Sequence, residues 1–348
     1  MPPQILAKRT EVLNTTKQHI KLSTQTEKFV SYPMTFQPIL KERIWGGDKL
    51  KSLGKELPNE AIGESWEISM IDDDVNLVAS GIYEKLSLAT LIEKFPVEIL
   101  GTKILEKYGK QFPLLFKFLD AKTDLSIQLH PNDQLAKRRH NSFGKTEMWY
   151  IMQADENARI ILGFKKDSSP EEYLQHLEDK TLPDVLQEYY VKKGDVFFIE
   201  TGTIHAIGGG ILLAEIQQTS DITYRVYDWD RVDEQGKARD LHVDMALEAI
   251  NYQTKNPKIE YPKNGNSPNL LVDCPFFTTN YIPLTTTYQV KKTNECFLVY
   301  ICTEGIVNLH KDEESFEFKK GDTFLVPASL TDFSLSGNAK LLEVYINS

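Results

Sequence analysis

The sequence predicts a mainly β protein made of two jelly-roll barrels with a few short peripheral helices. Short runs rich in strand-forming side chains alternate with turns of Gly, Asp and Lys, which is the pattern expected of a jelly roll. The segment KKGDVFFI, residues 192–199, recurs as KKGDTFLV, residues 319–326, which indicates two related barrels. With 348 residues and 41% hydrophobic content, the chain is long enough to bury two cores.

The predicted elements follow in chain order. Strands are expected at residues 113–120, 126–130, 148–152, 196–199, 211–216, 222–227, 296–301, 307–309 and 316–318. Helices are expected only at the periphery. Ser87 and Ser169 are suitable N-caps, residues 181–184 resemble a capping box, and residues 241–250 have helical apolar spacing.

Three separate stretches offer metal ligands: Gln128 and His130 in SIQLHPND, Glu147 in GKTEMWYI, and His205 in GTIHAIGGG. Residues two apart in a strand point to the same side of a sheet, so Gln128 and His130 share a face. Two imidazoles, one carboxylate and one amide oxygen form a shell that suits catalytic zinc better than the thiolate cages of structural sites. Each residue alone has an ordinary explanation, such as an ion pair between Glu147 and Lys145, but the combination predicts one Zn²⁺ per chain.

Several further motifs lie in the same order and context as in a known family. The chain resembles the type I phosphomannose isomerases, zinc enzymes of the cupin superfamily, from about residue 34 to residue 250. The motifs that carry the resemblance, besides the three stretches above, are PILKERIWGG at 38–47, GESW at 63–66, EIQQTSDITYR at 215–225 and YDW at 227–229.

The resemblance implies an aldose–ketose isomerase that interconverts mannose 6-phosphate and fructose 6-phosphate through an enediol, with zinc held by Gln128, His130, Glu147 and His205. Zinc would polarise a substrate oxygen as a Lewis acid. The barrels are then expected to be of the cupin type. The expected partner is a small-molecule sugar phosphate.

Arg225 matches the arginine that the family treats as catalytic, and it is expected to stabilise the enediolate or to hold the substrate. Glu215 is predicted to be the general base, because a carboxylate beside zinc and arginine can be tuned by burial and charge. Asp221 is predicted to bind substrate. A single strand over 215–225 would span about 33 Å, so a hairpin near residues 218–221 is expected to return Arg225 toward Glu215. A buried salt bridge is the alternative role for this pair.

Lys145 and Ser126 each precede a predicted ligand by two residues and therefore share its face. Substrate contact is the leading interpretation for both, and Lys145 is also predicted to be catalytic by reaching the phosphate or a sugar hydroxyl. Solvated surface is the alternative. Lys117 and Arg231 are weaker candidates. Trp45, Trp66 and Trp149 are expected in the core or the pocket wall.

Three segments are predicted: a polar extension at 1–33, a catalytic cupin domain with short helical insertions at 34–253, and a second cupin domain at 254–348. Because the resemblance begins at Met34, this residue is a candidate translation start. Aligning the two KKGD segments places Asp332 at the position of His205, and nothing nearby resembles Gln-Leu-His. The C-terminal domain is therefore expected to lack a metal and to stabilise the fold.

Two other function classes stay open. His130, Glu147 and His205 could supply the iron triad of a cupin dioxygenase. A non-enzymatic sugar-binding cupin would need only the pocket, although Lys145, Glu215 and Arg225 together favour turnover. The segment between Glu147 and His205 has room for only two short helices, so the chain is a short form of the family. The resemblance therefore does not predict the lid of the pocket.

Composition limits the partners and the compartment. A net charge of −10 argues against nucleic acid as a partner. No apolar run approaches the roughly 20 residues of a membrane-spanning helix, so no integral membrane protein is expected. Three cysteines without a CxxC pattern predict reduced, mostly buried thiols in a cytoplasmic protein. The sequence does not predict the oligomeric state.

Overall fold

The computed structural model describes residues 28–232 and 235–347, so most of the predicted extension at 1–33 lies outside the described residues. Within them the chain is mainly β, as predicted, and its helices are short. No described helix is long and apolar enough to cross a bilayer. Four sheets contain the strands, and the smallest pairs Met70–Ile71 with Asp74–Val75.

A seven-stranded antiparallel sheet supplies one wall of the N-terminal part. Its strands in spatial order are Lys258–Ile259, Val196–Ile199, Glu147–Ala154, Ile211–Gln218, Leu114–Ala121, Ile39–Gly47 and Ile62–Ile68. The central strand Ile211–Gln218 is buried along its whole length, because it has a paired strand on each side and both faces are covered.

A five-stranded antiparallel sheet forms the opposite wall. Its strands in spatial order are Leu186–Tyr190, Arg159–Phe164, His205–Ile207, Ile127–Leu129 and Tyr224–Tyr227. Side chains from both sheets meet in one apolar cluster, in which Trp149 and Phe197 of the larger sheet pack with Ile160 and Leu162 of the smaller. Burying these large side chains holds the two sheets face to face.

The C-terminal part supplies seven strands of an eight-stranded sheet, and Met34–Thr35 supplies the remaining one. The strands of this sheet are Met34–Thr35, Asn269–Asp273, Thr278–Leu284, Tyr288–Lys291, Leu298–Lys311, Glu314–Lys319, Thr323–Val326 and Asp332–Tyr345. The two longest strands pair with each other and carry much of a second apolar core. The domain boundary at 253/254 and the description as a second barrel stay predictions.

The repeated KKGD segments fold alike. In the first, Asp195 accepts a hydrogen bond from the amide of Lys192, and in the second Asp322 does the same for Lys319. Gly194 and Gly321 supply the positive φ that each turn requires, at 89° and 94°. A strand begins directly after each turn.

The described α-helices are Leu88–Lys94, Pro96–Leu100, Thr102–Tyr108, Asp133–His140, Pro170–Glu178, Leu182–Val185 and Val243–Ala249, and a 3₁₀ turn lies at Lys49–Leu53. Ser87 and Ser169 cap their helices as predicted, by accepting from the amides of Thr90 and Glu172. The capping box at 181–184 is wrong, because Thr181 lacks the extended backbone of an N-cap and makes no side-chain cap bond.

All three cysteines are free thiols. Cys302 is buried, whereas Cys274 and Cys296 are partly exposed. None belongs to the group of candidate metal ligands among the described residues.

Candidate active site

The register of the central strand brings two charged side chains and an indole together. Glu215 lies directly opposite Lys117 on one neighbouring strand and opposite Trp149 on the other. Because residues opposite each other in antiparallel strands share a face, these side chains point to the same side of the sheet. That side faces the smaller sheet.

The smaller sheet supplies the facing groups. Gln128 lies opposite His205 on one side and opposite Arg225 on the other. His130 directly follows the strand Ile127–Leu129, and Pro131 separates it from Asn132, which caps the next helix.

His130, Glu147 and His205 converge as predicted. Their candidate ligand atoms all lie within 4.8 Å of one another, and all three side chains are buried. His130 Nε2 lies 3.7 Å from Glu147 Oε2, and His205 Nε2 lies 3.6 Å from Glu147 Oε1. Glu147 Oε1 and His205 Nε2 have no hydrogen-bond partner among the described residues. Unpaired buried polar atoms are costly, and a divalent cation between them would satisfy both.

Both imidazoles are oriented by backbone carbonyls. His130 Nδ1 donates to the carbonyl of Ile222 at 2.7 Å, and His205 Nδ1 donates to that of Thr203 at 2.9 Å. Burial and the cation of Lys145 lower the pKa of His130 well below its usual range, and the same causes lower the pKa of His205 to about 4. The imidazoles are therefore neutral at neutral pH, and each turns its Nε2 lone pair toward Glu147, as a metal ligand would.

Gln128 lines the same cavity as Glu147 and His205. Its Oε1 accepts a hydrogen bond of 3.3 Å from the hydroxyl of Ser126. This confirms the shared face that the two-residue spacing predicts for Ser126 and Gln128.

Lys145 is buried between this ligand cluster and Glu215. Its Nζ lies 2.7 Å from Glu147 Oε2, 3.1 Å from His130 Nε2 and 3.8 Å from Glu215 Oε1. Burial alone would lower the pKa of this lysine, but the carboxylates of Glu147 and Glu215 outweigh it and raise the pKa. Lys145 is thus a fixed cation between the ligand cluster and Glu215.

Glu215 has one bonded and one unbonded carboxylate oxygen. Oε2 accepts from the indole of Trp149 at 2.9 Å, while Oε1 has no hydrogen-bond partner among the described residues. Oε1 lies 3.6 Å from Lys117 Nζ. Burial raises the pKa of Glu215 in spite of the nearby lysines. A buried carboxylate with a free oxygen and a raised pKa has the properties of a proton-transfer group.

Lys117 has a larger place in the site than the sequence indicated. Its Nζ lies between Glu215, Glu64 at 3.7 Å and Asp221 at 3.8 Å, and it stacks over the ring of Trp66. The available signal was a lysine inside the apolar run at 114–119.

Glu64 also lies in the site and was not predicted from the sequence, although GESW was one of the family motifs. It accepts from the side chains of Trp66 at 2.6 Å and Arg43 at 2.7 Å. Burial alone would raise the pKa of Glu64, but the cations of Lys117 and Arg43 outweigh it and hold the pKa at about 2. Glu64 is therefore a permanent anion behind Lys117.

Arg225 reaches the site from the smaller sheet, which corrects the predicted hairpin. The strand Tyr224–Tyr227 pairs with Ile127–Leu129 and not with Ile211–Gln218. After residue 218 the chain crosses to the opposite wall, because the neighbours of the central strand are already occupied on both sides. Arg225 Nε donates to Ser126 Oγ at 3.3 Å.

Asp221 lies on the crossing segment between the two sheets. It is half exposed and borders the cavity.

One cavity of about 320 Å³ contains nearly all these groups. It is bordered by Ser126, Gln128, Lys145, Glu147, His205, Glu215, Asp221 and Arg225, with Trp45 and Trp149 in the wall as predicted and Arg239 at its edge. His130 lies behind this lining. A buried His–Glu–His cluster in a polar cavity between two β sheets is typical of a metal-dependent cupin enzyme.

Two family models match the chain. The model for "Phosphomannose isomerase type I, catalytic domain" matches residues 34–162, which include Gln128, His130 and Glu147. The model for "Mannose-6-phosphate isomerase, cupin domain" matches residues 268–346.

Comparison with individual proteins indicates the same family as the two family models. The chain is 36% identical to the mannose-6-phosphate isomerase ManA of Bacillus subtilis over 319 residues, covering 90% of this chain and 99% of that protein. A Streptococcus mutans mannose-6-phosphate isomerase is 34% identical, over 90% of this chain and 98% of that protein. The crystal structure of a Bacillus subtilis mannose 6-phosphate isomerase superposes with a TM-score of 0.83 at 34% identity, covering 91% of this chain and all of that one. The chain belongs to the type I phosphomannose isomerase family.

Proposed function

We propose that the protein is a zinc-dependent enzyme that interconverts mannose 6-phosphate and fructose 6-phosphate through an enediol intermediate. Membership of the family supports this substrate pair. The observation that carries the proposal is the convergence of neutral imidazoles, a carboxylate, a buried lysine and an arginine around one cavity.

His130, Glu147 and His205 would hold the zinc, with Gln128 as a fourth ligand. Their nitrogen and oxygen donors suit zinc, and the unpaired atoms of Glu147 and His205 support a cation at this position. When bound, zinc would polarise a substrate oxygen as a Lewis acid. The fixed tautomers of both imidazoles support the same assignment, because the Nε2 atoms are left as acceptors.

Isomerisation moves a proton between C2 and C1 of the open-chain sugar. Glu215 would take and return this proton, because its Oε1 is unbonded, it borders the cavity, and burial raises its pKa. The indole of Trp149 holds the other oxygen and so fixes the direction of the free one.

Lys145 and Arg225 would stabilise the negative oxygen that develops as the proton leaves. Lys145 is held by two carboxylates at the inner end of the cavity, which favours a role at the reacting hydroxyls. Arg225 enters from the opposite sheet and is steadied by Ser126. Preorganised cations of this kind lower the barrier without reorganisation at the moment of reaction. Ser126 and Asp221 would contact sugar hydroxyls.

The direct test is to incubate pure protein with mannose 6-phosphate and to assay fructose 6-phosphate, with and without a chelator. We expect conversion that the chelator abolishes and that added zinc restores. Bound iron with oxygen consumption would instead support a cupin dioxygenase. No conversion with any divalent metal would remove the isomerase proposal.

The enediol is tested separately by running the reaction in D₂O. A proton shuttled by Glu215 exchanges with solvent, so we expect deuterium at C1 of the fructose 6-phosphate formed. Complete retention of the substrate hydrogen would instead indicate direct hydride transfer between the two carbons.

We also place the enzyme in the cytoplasm. Its three cysteines are all free thiols, which is the state expected in a reducing compartment.

A further inference from the structure

A second cavity adjoins the site and carries an excess of positive charge. Its volume is about 640 Å³, and it shares Arg225 and Arg239 with the inner cavity. Four cationic side chains and two carboxylates border it among the described residues: Arg225, Arg231, Lys237 and Arg239 against Asp228 and Asp240.

The inner cavity has the opposite balance. Apart from the two shared arginines, its lining has the cations Arg43, Lys117 and Lys145, and one more carboxylate than cations, namely Glu64, Glu147, Glu215 and Asp221. Both lysines already face carboxylates at 2.7 to 3.8 Å. The inner cavity's own side chains therefore suit a metal cation, and its lysines are already paired with carboxylates, whereas the outer cavity has two more cations than carboxylates.

Arg239 is held so that part of its guanidinium stays available. Nε and NH2 donate to the two oxygens of Asp228 at 2.7 and 2.6 Å, and among the described residues NH1 has no acceptor. Asp228 is itself almost buried and also accepts from Arg231 at 2.5 Å. One buried carboxylate therefore positions two guanidinium groups.

Arg225 completes the arrangement at the junction of the cavities. It donates to the hydroxyl of Ser126 and to the carbonyl of Asp240, and no carboxylate forms an ion pair with it in the described parts of the chain. Burial and the neighbouring cations of Arg239 and Arg231 lower the pKa of Arg225, although it stays charged at neutral pH. Three guanidinium groups and one lysine face only two carboxylates here, and an anion such as phosphate would neutralise the excess positive charge.

We propose that the phosphate of the substrate binds between Arg239 and Arg225 at this junction, with Asp228 as the residue that positions Arg239. The proposal rests on the proposed function, because it assigns the phosphate end of the same substrate. Arg225 borders both cavities and would face both the phosphate and the reacting oxygens, whereas Lys145 and Lys117 serve the sugar end alone. Guanidinium groups suit this role because they bond phosphate in a planar, two-pronged manner.

The test compares Arg239→Gln with the wild type, using mannose 6-phosphate as substrate and inorganic phosphate as a competitive inhibitor. Charge-assisted hydrogen bonds to phosphate correspond to a change of about 10- to 100-fold. We expect KM for mannose 6-phosphate and the inhibition constant of inorganic phosphate both to rise by about that factor, with kcat within about threefold of wild type.

Arg138→Gln is the matched control. It also removes a guanidinium paired with a carboxylate, that of Glu248, but it borders neither cavity. Its KM and phosphate inhibition should equal those of the wild type. Arg239→Lys keeps the charge and loses the two-pronged geometry, so we expect an intermediate KM; this variant decides the matter if Arg239→Gln does not fold.

Unchanged KM and phosphate inhibition in either Arg239 variant would overturn the proposal, as would the same change in Arg138→Gln. Calorimetric titration of the wild type and of Arg239→Gln with inorganic phosphate does not depend on turnover. If the wild type binds phosphate through Arg239 but does not isomerise mannose 6-phosphate, the proposed function fails and the phosphate subsite stands. Equal phosphate affinity in the two proteins would remove the subsite alone.

Discussion

Glu147 and His205 face each other across the gap between two sheets, with 3.6 Å between Oε1 and Nε2 and no hydrogen-bond partner for either atom in the described residues. Glu147 begins a strand of the larger sheet and His205 begins a strand of the smaller one. The cluster therefore forms only when the sandwich is assembled. A metal bound there would connect the two walls and stabilise the folded chain by mass action.

His205→Ala should lose zinc and activity together, because it removes one of the ligand atoms. The loss of zinc affinity should exceed the roughly 10- to 100-fold that removal of an outer partner costs. The measurement is metal content per chain by mass spectrometry, alongside turnover. His310→Ala is the control, since His310 lies in the C-terminal sheet, where its ring forms a hydrogen bond with Ser336. A variant at His205 that retains full zinc would contradict the ligand assignment.

Arg225→Ala should keep its zinc and lose most of its turnover, because Arg225 contacts Ser126 and not the ligand cluster. Removing one preorganised electrostatic group typically lowers kcat about 10²- to 10³-fold. Steady-state kinetics with metal analysis of the same sample gives both quantities. Near-normal rates would discard the role assigned to Arg225.

Glu215→Gln should also retain zinc, while turnover falls by about 10²- to 10⁴-fold with loss of the general base. The amide keeps the shape of the side chain and an acceptor for the Trp149 indole. In D₂O, the residual activity should no longer exchange hydrogen with solvent at the wild-type rate. An unchanged kcat would move the base to another residue.

Glu64 gives a stability test that does not involve the metal. Its folded pKa of about 2 lies below the ordinary 4.5, so its ionised form stabilises the fold above pH 4.5, and this contribution is lost as the pH falls toward 2. The shift corresponds to about 3 kcal/mol. Glu64→Gln should therefore melt at a lower temperature than wild type at pH 7, and the gap should narrow by pH 3. Scanning calorimetry at both pH values measures it, and an equal gap at the two values would contradict the assignment.

The sequence predicted the candidate metal ligands better than the charged residues around them. Donor chemistry and the family resemblance predicted Gln128, His130, Glu147 and His205 as ligands. The last three converge as a candidate metal group, and Gln128 borders the same cavity. Strand parity predicted only that Gln128 and His130 share a face. Spacing within a strand determines a shared face, so this inference needs no knowledge of the sheet. The KKGD repeat likewise predicted two turns that form the same hydrogen bond.

The pairing between strands was harder to predict from the sequence. Nothing in residues 215–225 specifies that the chain crosses to the other sheet, because local spacing does not reveal which edges of the central strand are already paired. For the same reason the contacts of Lys117 with Glu64, and of Arg239 with Asp228, depend on residues distant in sequence. Charged residues in apolar strands, such as Lys117, are the signal that sequence analysis could have used.

The central claim is tested most directly by titrating metal-free protein with zinc while measuring the isomerisation of mannose 6-phosphate. We predict that activity is absent at the start, rises in proportion to bound zinc and reaches its maximum at one ion per chain. Full turnover in metal-free protein, or turnover that only iron and oxygen support, would contradict the account.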